Sequence, residues 1–252
     1  MTDRPSPGSG DPLAGFVRGS FTHAGVTHDT YRRGSGPGVV VIHEMPGLTP
    51  RVAAYASEVA DAGFTVVCPS LFGTPGRAPT RGYLLGSLVK GCVSSEFHAL
   101  AVGRTSPATT WCRALAADLH RECGGPGVGA IGMCFTGGFA LAMLLDDHTV
   151  APVLAQPSLP MAVGRRRAAD LGLSPEDLDR VVERVAAGCD VLGLRYVGDK
   201  AVGTRFETLR RVLGDRFEAI ELPGSKHSVV TEHRDDAAVA RTISFFREKL
   251  AA

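Results

Sequence analysis

The sequence predicts an α/β fold: a single domain in which helices cover both faces of a mostly parallel central sheet. Three observations support this. Apolar segments of strand length recur at Val39–His43, Phe64–Cys68, Val128–Ile131, Val150–Leu154, Val191–Val197 and Phe217–Leu222, and near-continuous apolar runs are what strands buried on both faces require. Stretches with helical periodicity and cap signals lie between them, and that alternation is the pattern of a parallel, doubly wound sheet. The first buried strand is not followed by Gly-x-Gly-x-x-Gly, which sets the chain apart from dinucleotide-binding folds.

The bulk composition agrees. A chain of 252 residues, 44% hydrophobic, should bury roughly 70% of its unfolded surface, enough for a core without staples. Twenty-seven basic and 26 acidic side chains leave a formal charge of +1, which gives no electrostatic reason to expect nucleic acid or a membrane as partner. The run Arg165-Arg166-Arg167 reads as a solvated loop or helix end. Cysteines at 68, 92, 112, 123, 134 and 189 show no CxxC spacing, so neither a zinc site nor a disulfide framework is suggested. The N-terminus lacks an apolar leader, and no segment reaches the length of a membrane span. The expectation is a cytoplasmic protein in a reducing setting.

Residues 1–14 are rich in Pro, Gly and Ser and read as a disordered tail ahead of a domain over 15–252. Phe16–Arg33 reads as an edge hairpin turning at Gly25. After the strand Val39–His43, Thr49-Pro50 supplies an N-cap and a first-turn proline for a helix through Ala53, Tyr55 and Val59 that stops at Gly63. Phe64–Cys68 is the next strand. The glycine-punctuated stretch 70–103 reads as two short helices. Ser106-Pro107 opens a helix with Trp111, Leu115 and Leu119 on one face. Val128–Ile131 is a buried strand, Phe139–Leu145 an apolar helix and Val150–Leu154 a strand. Residues 164–188 read as an inserted helical segment, with Ser174-Pro-Glu-Asp starting a helix whose stripe is Leu178, Val181, Val182 and Val185. Strand Val191–Val197, a helix through Phe206, Leu209 and Leu213 capped by Gly214, strand Phe217–Leu222, and a helix through Val239, Ile243, Phe246 and Leu250 complete the chain.

The segment Val128-Gly-Ala-Ile-Gly-Met-Cys-Phe-Thr-Gly-Gly-Phe places Cys134 between a strand and a helix. Gly132 precedes the cysteine, and Gly137 and Gly138 follow it. This is the strand, sharp turn and helix of a nucleophile elbow, with sulfur where serine more often sits. The tight junction demands neighbours without side chains, and the helix N-terminus aims partial positive charge at the sulfur. One feature departs from the pattern: a Gly-x-Cys-x-Gly elbow wants glycine at 136, and Thr136 stands there. Cys134 also has a plain reading, as a small buried hydrophobe in a tight junction.

A thiol nucleophile needs a base, a group to orient the base, and donors for the developing oxyanion. Asp199 follows the strand ending near Val197, and His227 follows the strand ending at Leu222, giving the order nucleophile, acid, histidine. His23, His28, His98, His120, His148 and His233 do not follow a late strand and are set aside. Glu44 directly follows the first buried strand. A carboxylate there faces the same crevice, where it can repel a thiolate or accept the thiol proton. The backbone amides of Met45 and Phe135 are the natural oxyanion donors.

Glu44 after the early strand, the Gly-Met-Cys-Phe-Thr-Gly-Gly elbow, Gly-Asp199 and Gly-Ser-Lys-His227 together resemble the dienelactone hydrolase family, over about residues 38–250. The resemblance implies a single-domain α/β-hydrolase fold with a Cys134-His227-Asp199 triad. It also implies a Glu44 that pairs with the thiol at rest and releases a thiolate once substrate binds. Family enzymes open the enol-lactone ring of dienelactone to maleylacetate and need no cofactor. They hold the substrate carboxylate with arginines, one shortly after the histidine. Here Ser228-Val-Val-Thr231 follows His227, and Arg81 and Arg104 are the candidate substitutes. The expected function is therefore hydrolysis of a small carboxylic ester or lactone by a cysteine nucleophile through an acyl-enzyme. The alternatives are a member of the same fold that binds a small ligand or partner without hydrolysis, and a thiol sensor pairing Cys134 with Cys68.

Overall fold

The computed structural model describes residues 10–93, 97 and 100–251. Residues 1–9 of the expected tail, and part of the second short helix expected before Gly103, lie outside them. Strands β1 (Val17–His23) and β2 (Val26–Arg33) form the antiparallel edge hairpin. Its two turn residues, Ala24 and Gly25, have φ of 49° and 80°, the paired left-handed values that match a tight turn to strand twist. Six strands follow: β3 (Gly38–Ile42), β4 (Thr65–Pro69), β5 (Val128–Met133), β6 (Thr149–Ala155), β7 (Val191–Tyr196) and β8 (Phe217–Leu222). One sheet contains all eight in the order β1-β2-β4-β3-β5-β6-β7-β8, parallel from β4 to β8.

Among the described residues eight helices lie in chain order: α1 (Pro50–Asp61), α2 (Arg81–Val93), α3 (Pro107–Cys123), α4 (Phe139–Ala142), α5 (Arg165–Ala169), α6 (Pro175–Ala186), α7 (Arg205–Leu213) and α8 (Asp236–Leu250). Thr49 caps α1 by accepting the Val52 amide, with Pro50 in the first turn. Ser174 caps α6 by accepting the Asp177 amide. The expected Phe139–Leu145 helix is broken. A 3₁₀ turn, Cys134–Thr136, precedes α4 and another, Met143–Leu145, follows it.

The sheet separates two apolar layers, and β3 shows how. Val40 and Ile42 pack with Trp111, Leu115, Val181 and Phe206 of α3, α6 and α7. Val39 and Val41 pack with Val52, Val59, Val239 and Phe246 of α1 and α8. Alternate side chains of one strand thus feed both layers, as the period of two requires. The segment around 164–188 contributes α5 and α6 to the connection from β6 to β7. Val181 and Val185 of α6 are fully buried, and parallel neighbours need a crossover of this kind. Arg205, at the start of α7 and itself buried, donates to the carbonyls of Pro160, Arg167, Ala201 and Val202 and holds that connection against α7. Among the described residues no helix is long and apolar enough to cross a membrane.

Candidate active site

The parallel strands share one polarity, so their carboxyl ends open on one crevice. Glu44 lies just past β3, Cys134 past β5, Gln156 past β6, Asp199 past β7 and His227 past β8. Five strand ends, adjacent in space, therefore place five chemically active side chains on one rim.

Cys134 sits at φ +53°, a left-handed conformation costly for any residue with a Cβ and found where surrounding structure enforces it. A Cβ on Gly132 would stand 2.1 Å from the Thr136 carbonyl oxygen, and one on Gly137 would stand 2.5 Å from Pro157 Cα. The close approach that needs a glycine is thus at 137. Thr136 lies in the 3₁₀ turn and is fully buried. Its hydroxyl lies 3.1 Å from the carbonyls of Ile42, His43 and Met133 and accepts the Met133 amide at 3.2 Å. The residue that departs from the elbow pattern thereby ties the elbow to the end of β3. On the other side, the Ser158 amide donates to the Cys134 carbonyl at 2.9 Å.

His227 Nδ1 is 2.6 Å from Asp199 Oδ2, and Asp199 is buried while the imidazole is partly open. Burial alone would lower the histidine's proton affinity. It is outweighed by hydrogen bonds to Asp199 and to the Cys134 sulfur and by their charges, and the pKa rises to about 11. The imidazole therefore lies between the carboxylate and the sulfur and retains its proton at neutral pH. The loop is held from behind, where the His227 amide meets His233 Nδ1 at 3.4 Å and the Tyr196 hydroxyl donates to the His233 carbonyl at 2.5 Å.

Glu44 is buried, and that burial pushes its carboxyl above the usual range. Three side chains donate to it: Gln156 Nε2 at 3.3 Å and Ser228 Oγ at 2.8 Å to Oε2, and the Thr231 hydroxyl to Oε1. Cys134 is a hydrogen-bond partner of His227, and Glu44 is bonded to the loop that follows His227. Its neighbour His43 is buried and neutral: desolvation lowers its pKa to about 4, and its Nε2 accepts the Leu71 amide.

Phe135 is the second residue of the 3₁₀ turn, where an N–H has no acceptor within the turn. Met45 lies in the loop after β3, and both side chains pack in the apolar layer that contains Phe97 and Phe139. Phe72, Phe97 and Phe135 meet edge to face with centroids 5.3–5.6 Å apart, and Phe97 stacks on Phe139. Arg81 begins α2 and is exposed. Arg104 is also exposed, at the lip of a cavity of about 20 Å³ behind Phe97, Phe139 and Leu159. Neither lies within the Cys134–His227–Asp199 cluster. Cys68 is a fully buried residue of β4 and its thiol is pushed up by burial. Among the described residues the cysteines are free, and no group of three or more His, Cys, Asp or Glu is arranged to hold a metal ion.

Sequence reasoning did not single out Gln156, Ser228 or Thr231. Gln156 carried a usable signal, since it follows an apolar strand directly, as Glu44 does. Ser228 and Thr231 carried none, because their partner is 184 and 187 residues away in sequence.

A model of the dienelactone hydrolase family matches residues 25–158, which include Glu44, the elbow and Gln156. No curated protein matches the chain. Among solved structures, a protein from Klebsiella pneumoniae subsp. pneumoniae MGH 78578 assigned as a dienelactone hydrolase superposes with a TM-score of 0.65 at 18% identity, covering 94% of this chain and 98% of that one. A dienelactone hydrolase-like promiscuous phosphotriesterase from metagenomic libraries gives 0.65 at 19% identity, with the same coverages. A cold-adapted esterase from an Arctic intertidal metagenomic library gives 0.58 at 15% identity, covering 92% of each chain. At these identities the structural likenesses establish the α/β-hydrolase fold.

Proposed function

This chain belongs to the dienelactone hydrolase family, and on that premise we propose that it hydrolyses a carboxylic ester or lactone through an acyl-Cys134 intermediate. The observation that carries this reading is the placement of the His227 ring, with Nδ1 on Asp199 and the sulfur of Cys134 as its other partner.

In the proposed reaction the Cys134 sulfur attacks the carbonyl carbon and forms a C–S bond. The N–H groups of Met45 and Phe135 hold the negative oxygen of the tetrahedral intermediate. As that intermediate collapses, the C–O bond to the alcohol breaks and His227 gives the leaving oxygen its proton. Neutral His227 then takes a proton from water, the hydroxide adds to the acyl carbon, and the C–S bond breaks to release the carboxylic acid and regenerate the sulfur–imidazolium pair. Asp199 keeps the ring in the tautomer and orientation both steps need. Glu44 places a second carboxyl group in the crevice, held by Gln156, Ser228 and Thr231, and its burial favours the protonated form. No step requires a metal or cofactor. The free thiol suits a reducing compartment such as the cytoplasm, and a small ester or lactone is the partner the crevice would take.

A pre-steady-state burst with a p-nitrophenyl ester tests the reading. A burst stoichiometric with enzyme, absent from Cys134→Ala, is the expected result. Turnover by Cys134→Ala equal to that of the parent protein would overturn it.

A further inference from the structure

We propose that Gln156 is a positioning residue whose side-chain amide ties the Glu44 carboxylate to the loop that carries His227, an inference that rests on the hydrolytic reading above. Gln156 is completely buried and stands at φ +38° directly after β6. A glutamine forced into the left-handed region inside the core has been placed there against a backbone cost. Its backbone amide is fixed to Leu194 of β7 at 2.7 Å, and its carbonyl accepts the Ser158 hydroxyl at 2.9 Å. That leaves the side chain facing the crevice, with both ends of the amide engaged: Oε1 accepts the Val229 amide at 3.2 Å while Nε2 donates to Glu44 Oε2 at 3.3 Å.

The neighbours dictate that orientation. A backbone N–H can only donate, so the oxygen of the amide must face Val229, and the NH₂ must then face Glu44. Ser228 and Thr231 impose no such direction, because a hydroxyl either donates or accepts. Of the three side chains on Glu44, Gln156 is the one whose donor is fixed by a second partner, the Val229 amide. Val229 is two residues beyond His227, so the same amide also sets the start of the segment that folds back onto Glu44 through Ser228 and Thr231. Losing it frees the histidine loop and the carboxylate together.

The charged and titratable groups around this pair come from four elements. His43 precedes Glu44 and is buried beside it. Cys134 lies on the elbow and Asp199 past β7. His227 and Glu232 lie on the loop after β8 and act on Glu44 with opposite sign, and Glu232 is itself paired with Arg51 at 2.7 Å. Gln156 is uncharged at every pH, and this makes its replacement by glutamate informative. In Gln156→Glu one carboxyl oxygen still accepts from Val229, and the other meets Glu44 at hydrogen-bond distance. Two carboxylates so placed share one proton at low pH and repel when the second ionises.

The test compares Gln156→Glu and Gln156→Leu with the parent protein across pH, by p-nitrophenyl acetate turnover and by iodoacetamide alkylation of Cys134. Gln156→Leu is expected to lower kcat roughly tenfold or more at every pH, the scale of a misplaced catalytic group, with KM little changed. Gln156→Glu is expected to retain more activity than the leucine variant at acidic pH and to lose it through a new alkaline limb that the parent lacks. Equal, pH-independent losses in both variants, or a glutamate profile parallel to the parent's, would overturn the proposal. If the leucine variant does not fold, the alkaline limb of the glutamate variant decides. If the parent turns over no ester, the hydrolytic reading fails, and the alkylation profiles still decide whether Gln156 positions the histidine loop.

Discussion

His227 Nδ1 meets Asp199 Oδ2 at 2.6 Å although the two residues stand 28 apart in sequence. β7 and β8 are adjacent parallel strands, so the loops leaving their carboxyl ends cover the same stretch of rim. The amide of Gly198 reinforces that contact by donating to the Gly224 carbonyl at 2.8 Å, locking the acid's loop to the histidine's.

Asp199→Asn keeps the shape of this contact and removes its direction. An amide can offer the ring an N–H where the carboxylate offers only acceptors, which favours the wrong tautomer. Ester turnover is expected to fall by about 10⁴-fold, the loss seen when an oriented triad is misoriented, with the fold intact by circular dichroism. A loss below tenfold would show that the pair does not act as proposed.

The same pair makes stability depend on pH. The folded-state pKa of His227, about 11, lies above the unfolded value of about 6.5. The protonated ring therefore stabilises the fold fully below about pH 6.5, and that contribution is lost as pH rises toward the folded value. The melting-temperature difference between the parent and His227→Phe is expected to shrink between pH 6.5 and pH 10. A difference that stays constant or widens would contradict the assignment.

Glu44 carries the opposite consequence for a substitution. Burial raises its pKa in the folded state, so the fold prefers the protonated acid, and stability present below the unfolded pKa is lost as pH rises through the folded one. Glu44→Gln cannot ionise. Relative to the parent, its melting temperature is expected to climb from pH 4 to pH 8, whatever constant offset the changed hydrogen bonds impose. A flat difference would show that the carboxyl titrates alike in both states.

Thr136 gives a test in which restoring the elbow consensus does harm. Thr136→Gly and Thr136→Val each remove the hydroxyl that meets Ile42, His43 and Met133. Leaving buried backbone groups unsatisfied costs about 1–3 kcal/mol, and both variants are expected to unfold at lower denaturant concentration. A glycine variant as stable as the parent would mean the hydroxyl ties nothing together.

The fold was legible because its signals are local. Apolar strand-length segments mark the central strands, Thr49-Pro50 and Ser174-Pro175 mark helix starts, and the hairpin turns at Gly25 as expected. The elbow helix was not legible as broken, since apolar periodicity through Phe139–Leu145 does not distinguish an α turn from a 3₁₀ turn. Within the site, residues directly after a strand could be picked out, because chain order and strand polarity place them. The partners of Glu44 could not: Ser228 and Thr231 reach it only once β8 has docked beside β7, an event with no trace in their neighbours in sequence. Thr136 reads as a defect along the chain and becomes a tie only when β3 lies alongside.

The order in which these pieces occur along the chain has a consequence for biosynthesis. A ribosome delivers Cys134 well before Pro157 and Ser158, which brace the elbow, and before His227, which bonds the sulfur, and Asp199, which holds His227. Until the last third of the polypeptide has emerged and paired, the nascent chain holds an ordinary cysteine with neither its strained backbone nor its imidazole. Reactivity is thus assembled late, and a truncated product would carry the nucleophile without the means to use it.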